Sequence, residues 1–196
     1  YNTLDSIIWM AEGRKYEEVV LMTASLARLL RQSISNEDEV VPLAREVEYA
    51  KGYLTIQKMR YKDKLEFEID VEPSILNIPL IKLVLQPIIE NAIYHGLKYK
   101  ESKGLLQVKG FMKDGNAVLQ VIDNGVGMDE ETLSHIYDKH KVNYHSNGVG
   151  VYNVQKRLKL YYGEKGGMKY DSSSNGTIVT VFLPAIYDIP EEGRKS

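Results

Sequence analysis

The sequence contains no cysteine among its 196 residues. A disulfide framework, a thiolate nucleophile and a cysteine-ligated zinc or iron–sulfur site are therefore excluded. Charge of either sign is not in excess, since 25 Lys and Arg face 27 Asp and Glu. The whole chain thus gives no electrostatic reason to expect nucleic acid or an anionic membrane as a partner. An apolar run near the ~20 residues that cross a bilayer is also absent.

The chain begins at Tyr1 without a methionine, where the residue pattern is already helical. We therefore expect a part of a longer protein, in which a sensor domain or membrane anchor would lie elsewhere. Hydrophobic residues make up 43% and charged residues 27%, which is typical of a globular protein. This length accommodates one large domain, or a domain with an appendage.

Residues 1–60 have the spacing of helices. Apolar residues recur at helical intervals in two stretches that Gly13 interrupts, which predicts a helical hairpin. After a polar break at residues 35–39, a third helix is predicted from about Leu43 to Arg60. The apolar stripe of the hairpin needs a partner surface.

From residue 61 the pattern becomes mixed. Strands are predicted at residues 65–71, 106–112, 117–122 and 177–183, and helices at 79–97 and 149–162. Lys113-Asp114-Gly115-Asn116 predicts a hairpin turn. Hairpin-linked strands favour an α+β sandwich, a mixed sheet with one helical face, over a doubly wound parallel fold. The polar stretch 128–147 is long enough for a lid, and the charged tail 188–196 is expected to be flexible.

The segment from Val121 to Met128 places Asp123 at the end of a predicted strand, with Gly125 and Gly127 after it. Such a carboxylate can accept a hydrogen bond from an exocyclic amine, and glycines let the backbone approach a flat ring. An ordinary Asp-Asn-Gly turn accounts for this segment equally well.

Gly148 and Gly150 stand directly before an amphipathic helix. Backbone amides at a helix N-terminus can bind phosphate, and the helix dipole assists them. A Gly-x-Gly alone is weak evidence, because glycines also serve as hinges or caps. The Walker pattern and the dinucleotide fingerprint are both incomplete here.

Asn91, His95 and Lys98 are spaced to share one face of an α-helix. The Asn91 amide offers an oxygen to Mg²⁺, while His95 and Lys98 offer donors to phosphate. Taken alone, a buried helix with polar residues at its end explains this segment better.

Together, the three segments occur in an order that resembles the Bergerat ATP-binding fold, shared by gyrase, a heat-shock chaperone, histidine kinases and mismatch-repair ATPases. The resemblance covers roughly residues 65–184. It includes Gly176-Thr177 at the start of the last strand, where that superfamily also has a Gly-Thr.

A narrower resemblance is to the LytS-type sensor histidine kinases. It rests on the motifs Tyr1-Asn2-Thr3-Leu4, Tyr53-Leu54-x-Ile56-Gln57-Lys58-x-Arg60, Leu85-Gln86-Pro87-x-x-Glu90-Asn91-Ala92 and Gly148-x-Gly150-x-x-Asn153-Val154-x-x-Arg157-Leu158. In that family the phosphoacceptor histidine precedes the Tyr-Asn at which this chain begins. The resemblance thus implies part of the dimerisation helices in residues 1–60 and an ATP-binding domain in residues 61–187.

The resemblance also implies roles for single residues. Asp123 would bind the adenine amine with support from Thr177, and Asn91 would hold Mg²⁺ against the phosphates. The glycines divide between two roles: Gly125 and Gly127 against the base, and Gly148 and Gly150 as anchors of the lid.

One departure from the superfamily concerns hydrolysis. Its hydrolysing members carry a glutamate one helical turn before the magnesium-binding asparagine, where this chain has Pro87. Glu90 lies about 100° around the helix from Asn91 and is no positional substitute. Fast ATP hydrolysis is therefore not expected, whereas transfer to a histidine needs no such base.

A second departure is Tyr94, where related kinases often have lysine; phosphate contact then falls to His95 or Lys98. The predicted function is transfer of the ATP γ-phosphoryl group to a histidine and onward to a response regulator, with ATP and Mg²⁺ as cofactors. The resemblance implies a homodimeric full-length kinase whose catalytic part is cytoplasmic and anchored at the plasma membrane through other segments.

Three alternatives remain open at this point. A non-kinase ATPase of the same fold could use hydrolysis to drive a conformational clamp. A degenerate module could bind nucleotide or only dimerise. An anti-sigma-type serine kinase shares the fold, although the N-terminal helices resemble histidine-kinase dimerisation segments better.

Overall fold

The computed structural model describes residues 2–34, 39–136 and 148–184. Its α-helices are α1 (Asn2–Glu12), α2 (Tyr16–Ile34), α3 (Leu43–Tyr61), α4 (Leu85–Asn91), α5 (Glu130–His135) and α6 (Gly148–Tyr162). A π-helical turn (Ala92–Leu97) continues α4 directly. The strands are β1 (Val40–Pro42), β2 (Leu65–Val71), β3 (Pro79–Ile81), β4 (Gly104–Lys113), β5 (Asn116–Asp123), β6 (Gly167–Ser173) and β7 (Gly176–Leu183).

Five strands form one mixed sheet in the order β2-β4-β5-β7-β6. β2 pairs in parallel with β4, and the other neighbours are antiparallel. β5 lies at the centre, so that its last residue, Asp123, is opposite Thr177 of β7. β1 and β3 form a separate antiparallel pair. The mixed sheet confirms the predicted α+β sandwich.

The tight turn between β4 and β5 is also confirmed. Lys113 pairs with Asn116, and the two residues between them, Asp114 and Gly115, have φ values of 50° and 77°. Left-handed residues at both central positions give a turn whose twist matches that of the strands it joins. The turn thereby fixes the register that brings β5 to its end at Asp123.

The core lies between one face of the sheet and the helices α3, α4 and α6. Fully buried residues from both layers meet there: Leu106, Val108, Leu119 and Val121 from the strands, and Leu54, Ile88, Ile89, Val154 and Leu158 from the helices. Side chains alternate along a strand. Asp123, two residues beyond Val121, therefore points to the helical face.

The predicted N-terminal hairpin is confirmed by α1 and α2, which turn at Gly13 and at Arg14 with its φ of 56°. Met10 and Met22 are buried in this region. Several apolar side chains remain more than half exposed: Leu4, Ile8, Trp9, Tyr16, Val20, Leu21 and Leu30. In the described ranges, every helix is too short or too polar to cross a membrane.

The single helix predicted from Pro79 to Leu97 is wrong. Pro79–Ile81 is strand β3, a turn with Leu83 at φ 59° follows, and α4 begins only at Leu85. The stretch is mostly apolar, and its few polar residues, such as Lys82 and Gln86, give no clear periodicity to separate strand from helix.

β6 is missing from the sequence-based prediction. Its alternation is nevertheless that of a strand, because Met168 and Tyr170 are buried whereas Lys169 and Asp171 are exposed. Only two apolar residues mark the buried face. That is too few to separate an edge strand from a loop by pattern alone.

Positions 137–147 of the predicted lid and the whole of the predicted tail, residues 188–196, lie outside the described residues. The described part of the lid contains α5. The domain boundary at residue 60 stays a prediction. α3 ends at Tyr61, and its residues Leu43, Ala50 and Leu54 pack in the same core as the sheet.

Candidate active site

A cleft opens between the sheet and the end of α4. Its walls come from α4 with its π-helical continuation, from the loop after β5, and from β6 and β7. The polar and glycine residues that line it are Asn91, His95, Gly96, Asp123, Gly127 and Thr177. The structure thus brings together most of the residues selected from the sequence.

The cleft has a volume of about 30 Å³, which is room for little more than a water molecule. A base can enter only after a lining side chain moves. Met128 lines the cleft at the loop after β5, and its unbranched thioether side chain repacks with little loss. Entry of a flat ring is therefore expected to displace Met128.

Asp123 is only 5% exposed. Its Oδ1 accepts a hydrogen bond from the Gly125 backbone N–H at 2.8 Å, and the Thr177 backbone N–H also donates to the carboxylate. Burial raises the pKa of Asp123 to about 6, against the opposing effect of these amides and of Lys100. At neutral pH the carboxylate is ionised, and it can accept a hydrogen bond from an exocyclic amine.

Two glycines bring the backbone close to this carboxylate. A Cβ on Gly96 would lie 2.7 Å from Asp123 Oδ1, and a Cβ on Gly125 would lie 2.5 Å from the Gly96 carbonyl carbon. The Val126 N–H donates to the Gly96 carbonyl at 3.1 Å. Only glycine fits at either position, so Gly96 belongs to the site although sequence reasoning gave it no role.

Gly127 and Gly176 form a second close approach. Their φ values are 70° and 127°. A Cβ on Gly127 would lie 1.7 Å from the Ser173 carbonyl oxygen, and one on Gly176 would lie 2.0 Å from that of Asp123. The loop after β5 is thus held directly against the turn between β6 and β7.

Ser172 of β6 links the loop after β5 to Thr177 of β7. It is absent from the sequence prediction. Its Oγ accepts a hydrogen bond from the Met128 N–H at 2.9 Å and lies 2.8 Å from Thr177 Oγ1. Because β6 was not predicted as a strand, Ser172 was not expected beside Thr177. The alternation of Met168 and Tyr170 was the available clue.

Lys98 does not line the cleft. The spacing argument assumed an α-helix, but the Lys98 N–H donates to the Ile93 carbonyl, five residues back, as in a π-helix. Each residue of a π-helix advances less around the axis, so Lys98 turns away from Asn91 and His95. It lines another cavity instead, beside Lys64.

His95 lines the cleft with an exposed side chain. Partial burial and the nearby Lys98 lower the pKa of His95 below its ordinary value. At neutral pH the imidazole is therefore mainly uncharged, and it can offer one N–H donor to a phosphate oxygen.

Asn91 is the last residue of α4, and its side chain makes no hydrogen bond to any other part of the chain that the structure describes. Its amide oxygen is thus available to a ligand. Mg²⁺ is commonly bound through one or two protein oxygens together with phosphate oxygens and waters. The residues present fit a magnesium ion held between Asn91 and a phosphate chain.

The first turn of α6 reaches α4. A Cβ on Gly150 would lie 3.4 Å from the Pro87 Cβ, which makes this a close helix contact. Gly148 is the first residue of α6. Gly150 therefore lies beside the helix that carries Asn91, and Gly148 precedes it by two residues.

Family models match both parts of the chain. Residues 1–65 match the histidine kinase model, and residues 77–186 match the model of histidine kinase-, DNA gyrase B-, and HSP90-like ATPases. The chain belongs to this ATPase family. The predicted resemblance to the Bergerat fold is thereby confirmed.

Two relatives support the narrower LytS-type resemblance. Sensor histidine kinase YesM of Bacillus subtilis (strain 168) is 31% identical over 185 residues, which are 94% of this chain and 31% of YesM. Sensor protein LytS of Oceanobacillus iheyensis is 32% identical over 162 residues, covering 81% of this chain and 28% of LytS. The chain thus spans about three tenths of these curated relatives.

A solved structure shows the same fold. The histidine kinase domain of a blue-light activated histidine kinase from Erythrobacter litoralis EL346 aligns with a TM-score of 0.57 at 14% identity, covering 91% of this chain and 84% of that domain. At this sequence identity, the structural similarity is evidence for the fold alone.

Proposed function

We propose that this chain is the ATP-binding catalytic core of a sensor histidine kinase, which transfers the γ-phosphoryl group of ATP to a histidine. The observation that carries the proposal is the buried Asp123 carboxylate, which shares one cleft with the unpaired amide of Asn91. Asp123, an amine-accepting carboxylate, lines the sheet side of the cleft, and Asn91, a suitable magnesium ligand, lines its α4 side. This arrangement suits an adenine nucleotide.

Each site residue has a proposed role toward ATP. Asp123 accepts a hydrogen bond from the adenine amine, and Thr177 supports that contact. Asn91 holds Mg²⁺ against the phosphates while His95 donates to a phosphate oxygen. The glycines have backbone roles, with Gly125 and Gly127 against the base and Gly148 and Gly150 beneath the lid.

The reaction breaks the bond between the γ-phosphorus and the β–γ bridging oxygen and forms a phosphorus–nitrogen bond to the histidine, with ADP as the leaving group. Mg²⁺ supplies charge neutralisation on the phosphates when bound. The chain supplies positioning, which is the main contribution of proteins to phosphoryl transfer.

A hydrolytic clamp of the same fold is supported less well. Pro87, one turn before Asn91, carries no carboxylate. Glu90 accepts a hydrogen bond from Gln86 Nε2 at 2.9 Å and lies near Tyr53 of α3. The neighbouring carboxylate is thus engaged away from the cleft and is poorly placed to activate a water.

Partners and location follow from the same proposal. The phosphohistidine would pass its phosphoryl group to an aspartate of a response regulator, and the full-length kinase would act as a homodimer. Its catalytic part would be cytoplasmic, attached to a plasma-membrane sensor through segments beyond this chain.

The experiment is a calorimetric titration of Mg·ATP and of a non-hydrolysable ATP analogue into this chain, with and without EDTA. We expect binding that Mg²⁺ strengthens, and an Asn91→Ala variant that binds Mg·ATP no better than metal-free ATP. Absence of binding to either nucleotide at millimolar concentration would overturn the proposal. Steady phosphate release without a histidine acceptor would favour the hydrolytic clamp.

A further inference from the structure

Glu46 of α3 is a buried carboxylate at the start of α4, with only 2% of its surface exposed. Its Oε1 accepts a hydrogen bond from Leu83 N at 2.9 Å, and its Oε2 accepts from Val84 N at 2.9 Å and Leu85 N at 3.1 Å. An α-helix leaves the amides at its N-terminus without internal partners. One side chain of α3 therefore binds the beginning of the helix that ends at Asn91.

The turn that Glu46 holds is strained. Leu83 has a φ of 59°, a left-handed conformation that costs free energy for a residue with a Cβ atom. The Leu83 side chain is 47% exposed, so packing of that side chain in the core cannot be the main anchor of the turn. The hydrogen bonds to Glu46 hold the turn together with the Lys82 N–H, which donates to the Glu39 carbonyl, and with the buried side chains of Val84 and Leu85.

Glu46 also faces α6. Burial raises the pKa of Glu46 above its ordinary value, whereas the hydrogen bonds from the three amides and the charge of Arg157 on that helix act in the opposite direction. The first turns of the two helices meet where Gly150 approaches Pro87. Glu46 thus lies where α3, α4 and α6 converge.

A shift at this junction is expected to move the Asn91 end of the cleft more than the Asp123 end. α4 is a rigid segment about 10 Å long that begins at the Glu46 contact and ends at Asn91. A shift of its first turn therefore displaces Asn91. The hydrogen bonds to the Asp123 carboxylate come instead from Gly125 and Thr177, and from the helix only Gly96 of the π-helical turn packs against it.

We propose that Glu46 is a positioning residue for the magnesium end of the site, fixing α4 so that the Asn91 amide meets the metal-bound phosphates. The inference rests on the proposed function. It also makes α3, which lies in the segment preceding the ATPase domain, a direct determinant of phosphate binding.

The test compares Glu46→Gln with a matched control, Leu54→Ala. Leu54 is fully buried on the same helix, so its truncation loosens α3 without removing the carboxylate. For each variant, the measured quantity is the ratio of the ATP dissociation constants in EDTA and in Mg²⁺. Unfolding curves of both variants show how far each is destabilised.

In Glu46→Gln, an amide nitrogen replaces one acceptor and faces backbone N–H donors. We expect the ratio to fall on the order of tenfold, toward that of Asn91→Ala, because small misplacements near the phosphates have large effects. Binding in EDTA should change by less than the ratio does, because Asp123 keeps its hydrogen bonds from Gly125 and Thr177. Leu54→Ala should keep the wild-type ratio.

If Glu46→Gln does not fold, the same comparison is made in a Leu83→Gly background, where glycine adopts the left-handed turn without strain. A wild-type ratio in Glu46→Gln, or an equal fall in Leu54→Ala, overturns the positioning role. If the wild-type chain binds no ATP, the proposed function itself fails. The two failures are therefore distinguishable.

Discussion

The two ends of the cleft are built differently. Around Asp123, strand ends and glycines meet so closely that a single Cβ would collide at Gly96, Gly125, Gly127 or Gly176. Around Asn91, a short helix passes into a π-helical turn, and its first turn depends on Glu46 from another helix. The sheet end is fixed mainly by the backbone of the strands and their loops, with Gly96 of the π-helical turn packed against it, whereas the helical end takes its position from neighbouring helices.

The difference separates the end that we propose binds the base from the end that we propose holds the phosphates. A pocket made by backbone contacts within a sheet tolerates movement elsewhere, so the base can remain bound. A metal ligand on a helix responds to every element packed against that helix. A shift of α3 is therefore expected to move Asn91 more than Asp123.

The largest effect is expected at Gly127. Gly127→Ala should lower the free energy of unfolding by about 3 kcal/mol more than Gly115→Ala, because it adds a backbone collision to the same left-handed strain. Gly115 has a similar φ of 77° but nothing within 4 Å of an added Cβ. Chemical unfolding of both variants measures the difference. Equal losses would show that the loop after β5 can move aside.

The pH dependence of stability should also come from the sheet end. The pKa of Asp123 is about 6 in the folded chain but about 3.9 when unfolded, so the folded state binds more protons between these values. Stability should therefore fall as pH rises from about 4 to about 6, by up to about 3 kcal/mol from this group. The measurement is urea unfolding across this range.

The contribution of Asp123 is isolated by subtracting the same profile of Asp123→Asn. Other carboxyl groups titrate in both proteins and cancel in the difference. A difference that does not change between pH 4 and 6 would contradict the assignment.

Asp123→Asn should reduce ATP affinity by about 1.5–3 kcal/mol, or roughly tenfold to a hundredfold, since it replaces a charged acceptor. The loss should include the preference for adenine over guanine nucleotides and leave the effect of Mg²⁺ unchanged. Competition binding with GTP at pH 7.5 measures it. Asn91→Ala is the control, which should lose the effect of Mg²⁺ and keep the preference for adenine.

Ser172→Ala should have the smallest effect. It removes the acceptor of the Met128 N–H and the partner of Thr177 Oγ1, at a cost of about 1 kcal/mol in stability. ATP affinity should weaken by a similar amount, because Thr177 and the loop after β5 both lose a support. Wild-type affinity in this variant would restrict Ser172 to a structural role.

The contrast between the two ends also explains what the sequence predicts well. Asp123 ends a predicted strand and two glycines follow it, a local pattern that can be read directly from the sequence. The mixed sheet, the hairpin at Asp114 and Gly115, and helix α6 are confirmed for the same reason. Their local signals agree with the tertiary structure.

The helical end is predicted less well because its geometry is not local. In a mostly apolar stretch, β3 could not be separated from the following helix, and the π-helical turn moved Lys98 off the face that α-helical spacing assigned to it. Glu46 lies far along the sequence from the amides it binds. A lone glutamate in a helix gives no sign that it will be buried against another helix start.

The pairing of Asp123 with Thr177 has a consequence for folding. The Asp123 end of the cleft forms only after β5 and β7 have paired across the long stretch of chain between them, and such distant pairings close slowly. Nucleotide binding would therefore report the last long-range contact of the sheet. A ligand that binds only the completed sheet also stabilises it by mass action, so the cellular nucleotide supply would help to keep the chain folded.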